Sequence, residues 1–215
     1  MTIIVHHLEN SRSQRILWML EELDLPYEVK RYERDKATML APPELRRVHP
    51  LGKSPVIEDQ AAQGATGSRV IAETGAIVEY LVDLADGKLG APSKRDAALA
   101  YRFWVHYAEG SLMPPLLVKL VVSRIPLVGN RVATQIQPMI DRHLDYVEAS
   151  LAEHPWFAGD TFTAADIMMS FPLEAARSRA GLDASRPNTL GWLERIHARP
   201  AYQRALAAGG PYAYA

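Results

Sequence analysis

The chain has no cysteine, which excludes a disulfide framework, thiolate zinc sites, iron–sulfur clusters and a cysteine nucleophile. Any thiol chemistry must therefore use a thiol brought in by a substrate. It also lacks an excess of charge of either sign: 24 Lys and Arg stand against 25 Asp and Glu, a formal net charge of -1. Without a basic block there is neither the phosphate-neutralising surface of a nucleic-acid binder nor the polybasic stretch that draws a protein to anionic lipid, so no nucleic-acid or membrane partner is expected. Long apolar runs are missing as well. The most apolar stretch, Leu112 to Val122, is broken by Pro114, Pro115 and Lys119, well short of the roughly 18 apolar residues of a membrane span. The opening MTIIVHHLENSRSQR has no basic segment, long apolar run and small-residue cleavage site, so a cytoplasmic location is expected. No His-x-x-x-His or His-Glu-x-x-His spacing occurs among the seven histidines, and no metal is expected.

What is present is 215 residues, 48% of them hydrophobic, enough for one large domain or two small ones. The first third mixes two periodicities. Thr2 to Leu8 is a β-branched run suited to a buried strand. From Ser13 onward Ile16, Leu20 and Leu23 fall on one side of a helix that stops before Pro26 and turns that side to a sheet. A half-exposed strand at Tyr27 to Tyr32 and a short helix after Pro42-Pro43 follow. Ser54 to Asp59 and Ser68 to Ala72 read as a hairpin around Gly64 to Gly67, and Thr74 to Ala85 as a helix. Strand, helix, strand, helix, strand, strand, helix is the order of a thioredoxin-like α/β domain.

DGKLGAPS, residues 86–93, collects turn-forming residues between patterned segments and reads as a linker. The predicted organisation is an α/β domain over 1–85, the linker 86–93, and an all-helical domain over 94–215. Long amphipathic stretches are predicted over 94–120, 130–153, 163–179, 189–198 and 200–208. Thr163-Ala164-Ala165-Asp166 before Ile167-Met168-Met169 is a capping box with aspartate in place of glutamate, and its expected role is helix nucleation. Ser93 with Asp96 suggests a second cap.

Three segments of the first domain carry chemistry and should converge at one edge of the sheet, where open α/β folds bind ligands. Ser11-Arg12-Ser13-Gln14-Arg15 stands at a helix N-terminus, where free N–H groups and the helix dipole favour an anion. A thiolate is such an anion, and a hydroxyl donating to its sulfur lowers the thiol pKa. Either serine can instead serve simply as the N-cap. The Ser54-Pro55 bond precedes a strand, where a cis proline turns backbone groups outward to pair with a peptide. Glu73-Thr74 offers a carboxylate and a hydroxyl suited to a zwitterion, or a plain helix cap. In the helical half, Trp104, His106, Tyr107 and Glu109 surround an expected bend at Pro114-Pro115. Tyr107 and Met113 either line an apolar pocket or pack in the core.

SRSQRILWMLEEL, GKSPVIED, AETGAIVEYL, WVHYAEGSLMPPL and FTAADI, in this order across nearly the whole chain, resemble a cytosolic glutathione transferase, closest to the bacterial and fungal serine-type or unclassified members. The resemblance implies a thioredoxin-like domain holding glutathione as co-substrate, a helical domain supplying most of the pocket for a small hydrophobic electrophile, and a homodimer. It implies that Ser54 pairs through its backbone with the cysteinyl part, with Pro55 cis. Glu73 and Thr74 would then bind the γ-glutamyl end, and Lys53 would lie near the glycine carboxylate, with His49 or Arg12 as secondary contacts. Ser11, four residues before Arg15, matches the spacing of the catalytic serine. Ser13, Arg12 and Tyr107 are the alternatives for thiol activation, and His7 lies near the position where tyrosine-type classes carry their tyrosine. The serine-type pattern continues with proline and cysteine, whereas this chain has Arg12 and Ser13. The activity implied is conjugation to electrophiles or reduction of organic hydroperoxides. The alternatives are a noncatalytic binding or regulatory protein of this fold, or a glutathione-dependent isomerase or dehalogenase.

Overall fold

Strand β1, Ile3–Leu8, opens the chain in a computed structural model that describes residues 2–61 and 67–214. It is followed by α1 (Ser13–Leu23), β2 (Tyr27–Tyr32), α2 (Leu45–Val48), β3 (Val56–Asp59), β4 (Arg69–Ala72) and α3 (Thr74–Leu84). The strands form one sheet in the order β2-β1-β3-β4, with β1 parallel to β2, and β3 antiparallel to both of its neighbours. This is the mixed sheet of a thioredoxin-like domain. The turn expected between β3 and β4 lies largely outside the described residues.

The local causes are those visible in the chain. β1 buries Ile3 and Val5, and α1 ends where Asp24 turns left-handed (φ 56°) and returns its N–H to the Leu20 carbonyl, two residues before Pro26. Burial at α1 goes beyond the side marked by Ile16, Leu20 and Leu23: Leu17, Trp18 and Met19 are also wholly buried. The cause is α9, Pro200–Gly209, which packs along α1. Trp18 meets the Tyr202 ring edge-on at 5.2 Å, Arg199 grips Glu22 through two bonds of 2.5 and 2.8 Å, and Arg204 reaches Glu21 at 2.6 Å. A Cβ at Gly209 would fall 2.7 Å from Gln14 Oε1 and 2.9 Å from Leu17 Cδ1, so a larger residue there would have to displace the ends of these side chains.

The chain therefore divides differently from the simple split at a linker. One compact unit runs from the amino terminus through Gly90 and takes in Ala198–Ala213; the other is Ala91–His197 with Tyr214. The last helix goes with the α/β unit rather than with the helical domain assigned to 94–215.

The second unit is helical: α4 (Arg95–Tyr107), α5 (Met113–Val122), α6 (Gly129–Glu153), α7 (Ala164–Arg179) and α8 (Pro187–His197). A π-helical turn, Ala108–Leu112, joins α4 to α5. Pro114 and Pro115 follow it in the first turn of α5, where proline costs no hydrogen bond. The suggested Ser93–Asp96 cap is absent: Lys94 occupies the N-cap of α4 without a side-chain bond. The cap of α7 is present. Thr163 Oγ1 accepts the Ala165 N–H at 3.3 Å, and Asp166 Oδ2 accepts the Thr163 N–H at 2.9 Å. Asp166 Oδ1 also accepts from the Phe157 amide at 3.1 Å and from the Trp192 indole at 3.2 Å, so the capping carboxylate ties α7 to the preceding loop and to α8. No helix of the described residues is long and apolar enough to cross a membrane.

Burial holds the Asp166 carboxyl up at about 6 despite its donors. A carboxyl with a native pKa above its unfolded value near 3.8 stabilises most below about pH 4, and that contribution declines as pH rises to about 6. The stability difference between the protein and Asp166→Asn, followed by urea unfolding, is expected to change across that window and to be flat above it. A difference independent of pH from 4 to 7 would contradict the assignment.

Candidate active site

The sheet register gathers the three chemical segments at one edge of the first unit. Leu8 ends β1, Val56 starts β3, and His6 pairs with Val56, which sets Leu8 opposite Ser54. Ala72 ends β4 and pairs with Val56, so Glu73 and Thr74 continue past the Ser54-Pro55 step, whose peptide bond is cis. The Leu8 N–H lies between two hydroxyls, 3.2 Å from Ser13 Oγ and 3.3 Å from Ser54 Oγ. Ser54 Oγ donates to the His6 carbonyl at 2.8 Å. The strand end, the start of α1 and the proline loop are thus joined through one backbone amide.

Ser11 and Ser13 are a bonded pair rather than two independent candidates. Their oxygens are 2.7 Å apart, and the Ser13 N–H donates to Ser11 Oγ at 3.2 Å. Ser11 so satisfies one of the free amides at the helix start, although Arg12 holds the N-cap position. Ser13 is fully buried, and its oxygen also lies 2.9 Å from His7 Nδ1 and 3.3 Å from the Leu8 carbonyl. That leaves Ser11 as the outer hydroxyl of the pair. Arg12 is half-buried in the same turn.

The two histidines of β1 face opposite ways, as strand geometry requires. His6 bonds the Tyr32 hydroxyl at 2.9 Å and the Glu58 carboxylate at 2.7 Å, and burial lowers its pKa. His7 faces Ser13 instead. Burial, with the Arg31 charge, brings its pKa down to about 4, so the ring is neutral at physiological pH. The bond from His7 to Ser13 joins a strand to a helix, and spacing in the chain gives no sign of it.

Glu73 stands at the N-cap of α3 with φ 71°, ψ 124° and no side-chain cap bond. A left-handed glutamate there is backbone strain of the kind that collects at binding sites. Its side chain is exposed, and Thr74 is buried. Lys53 is exposed, and His49 Nδ1 accepts the Leu51 N–H at 3.4 Å.

Tyr107 belongs to the second unit and is buried. Its hydroxyl lies 2.5 Å from His143 Nδ1, and its ring packs among Phe103, Trp104 and Tyr146. Burial, reinforced by Tyr146, raises its pKa to about 12. Met113 is buried and His106 exposed. An open groove of about 380 Å³ in this unit, lined by Leu116, Lys119, Leu120, Thr134, Gln137 and Arg179, involves none of the residues singled out from the sequence. No group of His, Asp and Glu able to hold a metal ion occurs among the described residues.

Comparison with known proteins gives the family. Residues 11–84 match the glutathione S-transferase N-terminal domain, and residues 130–195 match the C-terminal domain. Glutathione S-transferase 3 of Schizosaccharomyces pombe is 38% identical over 214 residues, spanning 93% of this chain and 84% of the yeast protein. A crystal structure of a glutathione S-transferase from Actinobacillus pleuropneumoniae has a TM-score of 0.85 at 34% identity, covering 99% of this chain and 95% of the other. A glutathione transferase family member from Pseudomonas fluorescens, solved with two glutathione bound, has a TM-score of 0.80 at 25% identity and covers 95% and 92%. The chain belongs to the glutathione S-transferase family.

The Tyr107–His143 bond gives a direct check on the helical unit. Tyr107→Phe is expected to cost about 1 kcal/mol in urea unfolding. Unchanged stability would mean that the bond contributes nothing to the packing of α4 on α6.

Proposed function

We propose that the chain binds glutathione at the edge formed by Ser11, Ser54 and Glu73, and that Ser11 activates its thiol for attack on small electrophiles. The observation that carries this reading is the hydroxyl of Ser11 just before α1, bonded to Ser13, which shares the Leu8 amide with Ser54 of the cis Ser54-Pro55 step. Family membership and the glutathione bound to the Pseudomonas fluorescens relative support it. In this reading the Ser54 backbone pairs with the cysteinyl part of glutathione. Glu73 and Thr74 hold the γ-glutamyl group, and Lys53 attracts the glycine carboxylate.

The thiol proton is lost to solvent, and the thiolate is stabilised by the Ser11 O–H, the positive end of the α1 dipole and the charge of Arg12. Lowering the thiol pKa by about two units corresponds to ~2.7 kcal/mol of preference for the charged form. The sulfur then forms a bond to the electrophilic carbon, whose leaving group departs with the displaced electron pair, and holding both reactants together supplies the entropic part of the acceleration. With a hydroperoxide instead, the glutathione sulfur takes the terminal oxygen as the O–O bond breaks and the alcohol leaves, and a second glutathione attacks the resulting sulfenic sulfur to form the disulfide and release water; the chain has no cysteine to take part. A homodimer is part of the proposal, and exposed Leu117, Val121 and Leu127 give the second unit apolar surface suited to a partner.

Ser11→Ala is expected to raise the pKa of bound glutathione by about two units, so that below the original pKa the thiolate fraction falls about a hundredfold, with conjugation slowed accordingly. Thiolate absorbance titration and turnover with a panel of aryl halides and enones measure both. A variant with an unchanged thiol pKa and full turnover would remove Ser11 from the reaction. Binding of glutathione by the unsubstituted protein without turnover of any electrophile or hydroperoxide would favour a binding role.

A further inference from the structure

Ser11 is the outer end of a buried hydrogen-bonded chain whose inner end is a histidine. Ser11 Oγ lies 2.7 Å from Ser13 Oγ, which lies 2.9 Å from His7 Nδ1. A serine hydroxyl has one proton and two lone pairs. Backbone donors occupy one lone pair on each oxygen: the Ser13 N–H on Ser11, and the Leu8 N–H on Ser13, each at 3.2 Å. One proton and one lone pair remain on each, so the chain runs in one of two directions.

The direction is set by the histidine. His7 is 2% exposed and neutral near pH 7, so one ring nitrogen carries the proton. If that nitrogen is Nδ1, His7 donates to Ser13 and Ser13 donates to Ser11, leaving the Ser11 proton to point outward. The other acceptor for the Ser13 proton, the Leu8 carbonyl, is farther away at 3.3 Å. If Nε2 carries the proton, Ser13 donates to His7 and Ser11 donates to Ser13, so Ser11 turns a lone pair outward. A lone pair repels a thiolate, whereas a hydroxyl proton stabilises it.

We propose that His7 is a positioning residue whose Nδ1–H tautomer orders the Ser13 and Ser11 hydroxyls, so that Ser11 presents its proton to the glutathione sulfur. This rests on the reading of Ser11 as the group that activates the thiol. The tautomer follows from what the site must do: an activating Ser11 needs a donor behind Ser13, and His7 Nδ1 is the ring nitrogen within reach. His7 touches no substrate; it acts by fixing which way two protons face.

The first test is nitrogen NMR of the full chain, labelled at histidine and saturated with glutathione near pH 7. The His7 signals are assigned by their loss in His7→Asn. The expected result is a protonated Nδ1 and an unprotonated Nε2; the reverse pattern overturns the proposal. The second is thiolate titration in variants. His7→Leu is expected to raise the bound-thiol pKa by about one unit, a roughly tenfold loss of thiolate below it, with glutathione affinity changed less than about twofold. His7→Asn, whose amide N–H takes the place of Nδ1–H, is expected to restore most of the shift. An unchanged pKa in His7→Leu, or an Asn variant no better than Leu, overturns the proposal, the latter by showing a packing role. These failures differ from failure of the parent reading, in which Ser11→Ala itself leaves the thiol pKa where it was.

Discussion

The backbone amide at the end of β1 is the point on which the site depends. A strand that stops inside a protein leaves polar groups that must find partners. At Leu8 the N–H is met by hydroxyls from two distant segments, Ser13 at the start of α1 and Ser54 before the cis proline. Satisfying that amide fixes where the helix begins and where the proline loop lies. It also carries the sheet register into the site, since the pairings of His6 and Ala72 with Val56 bring Ser54 and Glu73 to the same edge. The same residues that complete the hydrogen bonding of the strand end thus form the corner where we propose the glutathione thiolate is held, with a helix N-terminus on one side and the cis Ser54-Pro55 step on another.

Each unit has its own anchor. In the first, α9 returns from the far end of the chain to cover α1, with Tyr202 against Trp18 and Gly209 close to Leu17. A helix packed in this way is a rigid support for its own start, where Ser13 opens the first turn and Ser11 precedes it. In the second, one buried carboxylate holds three separate segments through its cap, the Phe157 amide and the Trp192 indole. That explains why the Thr-Ala-Ala-Asp signal is sharp: it is both a helix start and a joint.

The element order was legible because it rests on local pattern. Ile16, Leu20 and Leu23 mark α1, Pro26 marks its limit, and the alternation of Tyr27 to Tyr32 marks β2. The cis geometry before Pro55 came only with the family resemblance, since a proline alone does not reveal its isomer. What the chain hid is long-range. The cover over Trp18 and Met19 comes from a helix that begins at Pro200, and Gly209 carries no pattern that announces a helix crossing. The π-helical turn before Met113 has no residue signature either. At the site, Ser11 and Ser13 read as rivals, since spacing in sequence does not show that their hydroxyls bond to each other, and the bond from His7 to Ser13 is hidden for the same reason. The carboxyl terminus of the helical domain was drawn too far for a physical reason, too: α8 and α9 are both amphipathic, and only packing tells which core each one serves.

The most direct test of the whole account is a crystal structure of the protein grown with glutathione. The account predicts the sulfur within hydrogen-bonding reach of Ser11 Oγ, at the first turn of α1, with the cysteinyl backbone paired to Ser54. A sulfur held by Arg12 with Ser11 turned away, or a tripeptide bound elsewhere on the chain, would contradict it.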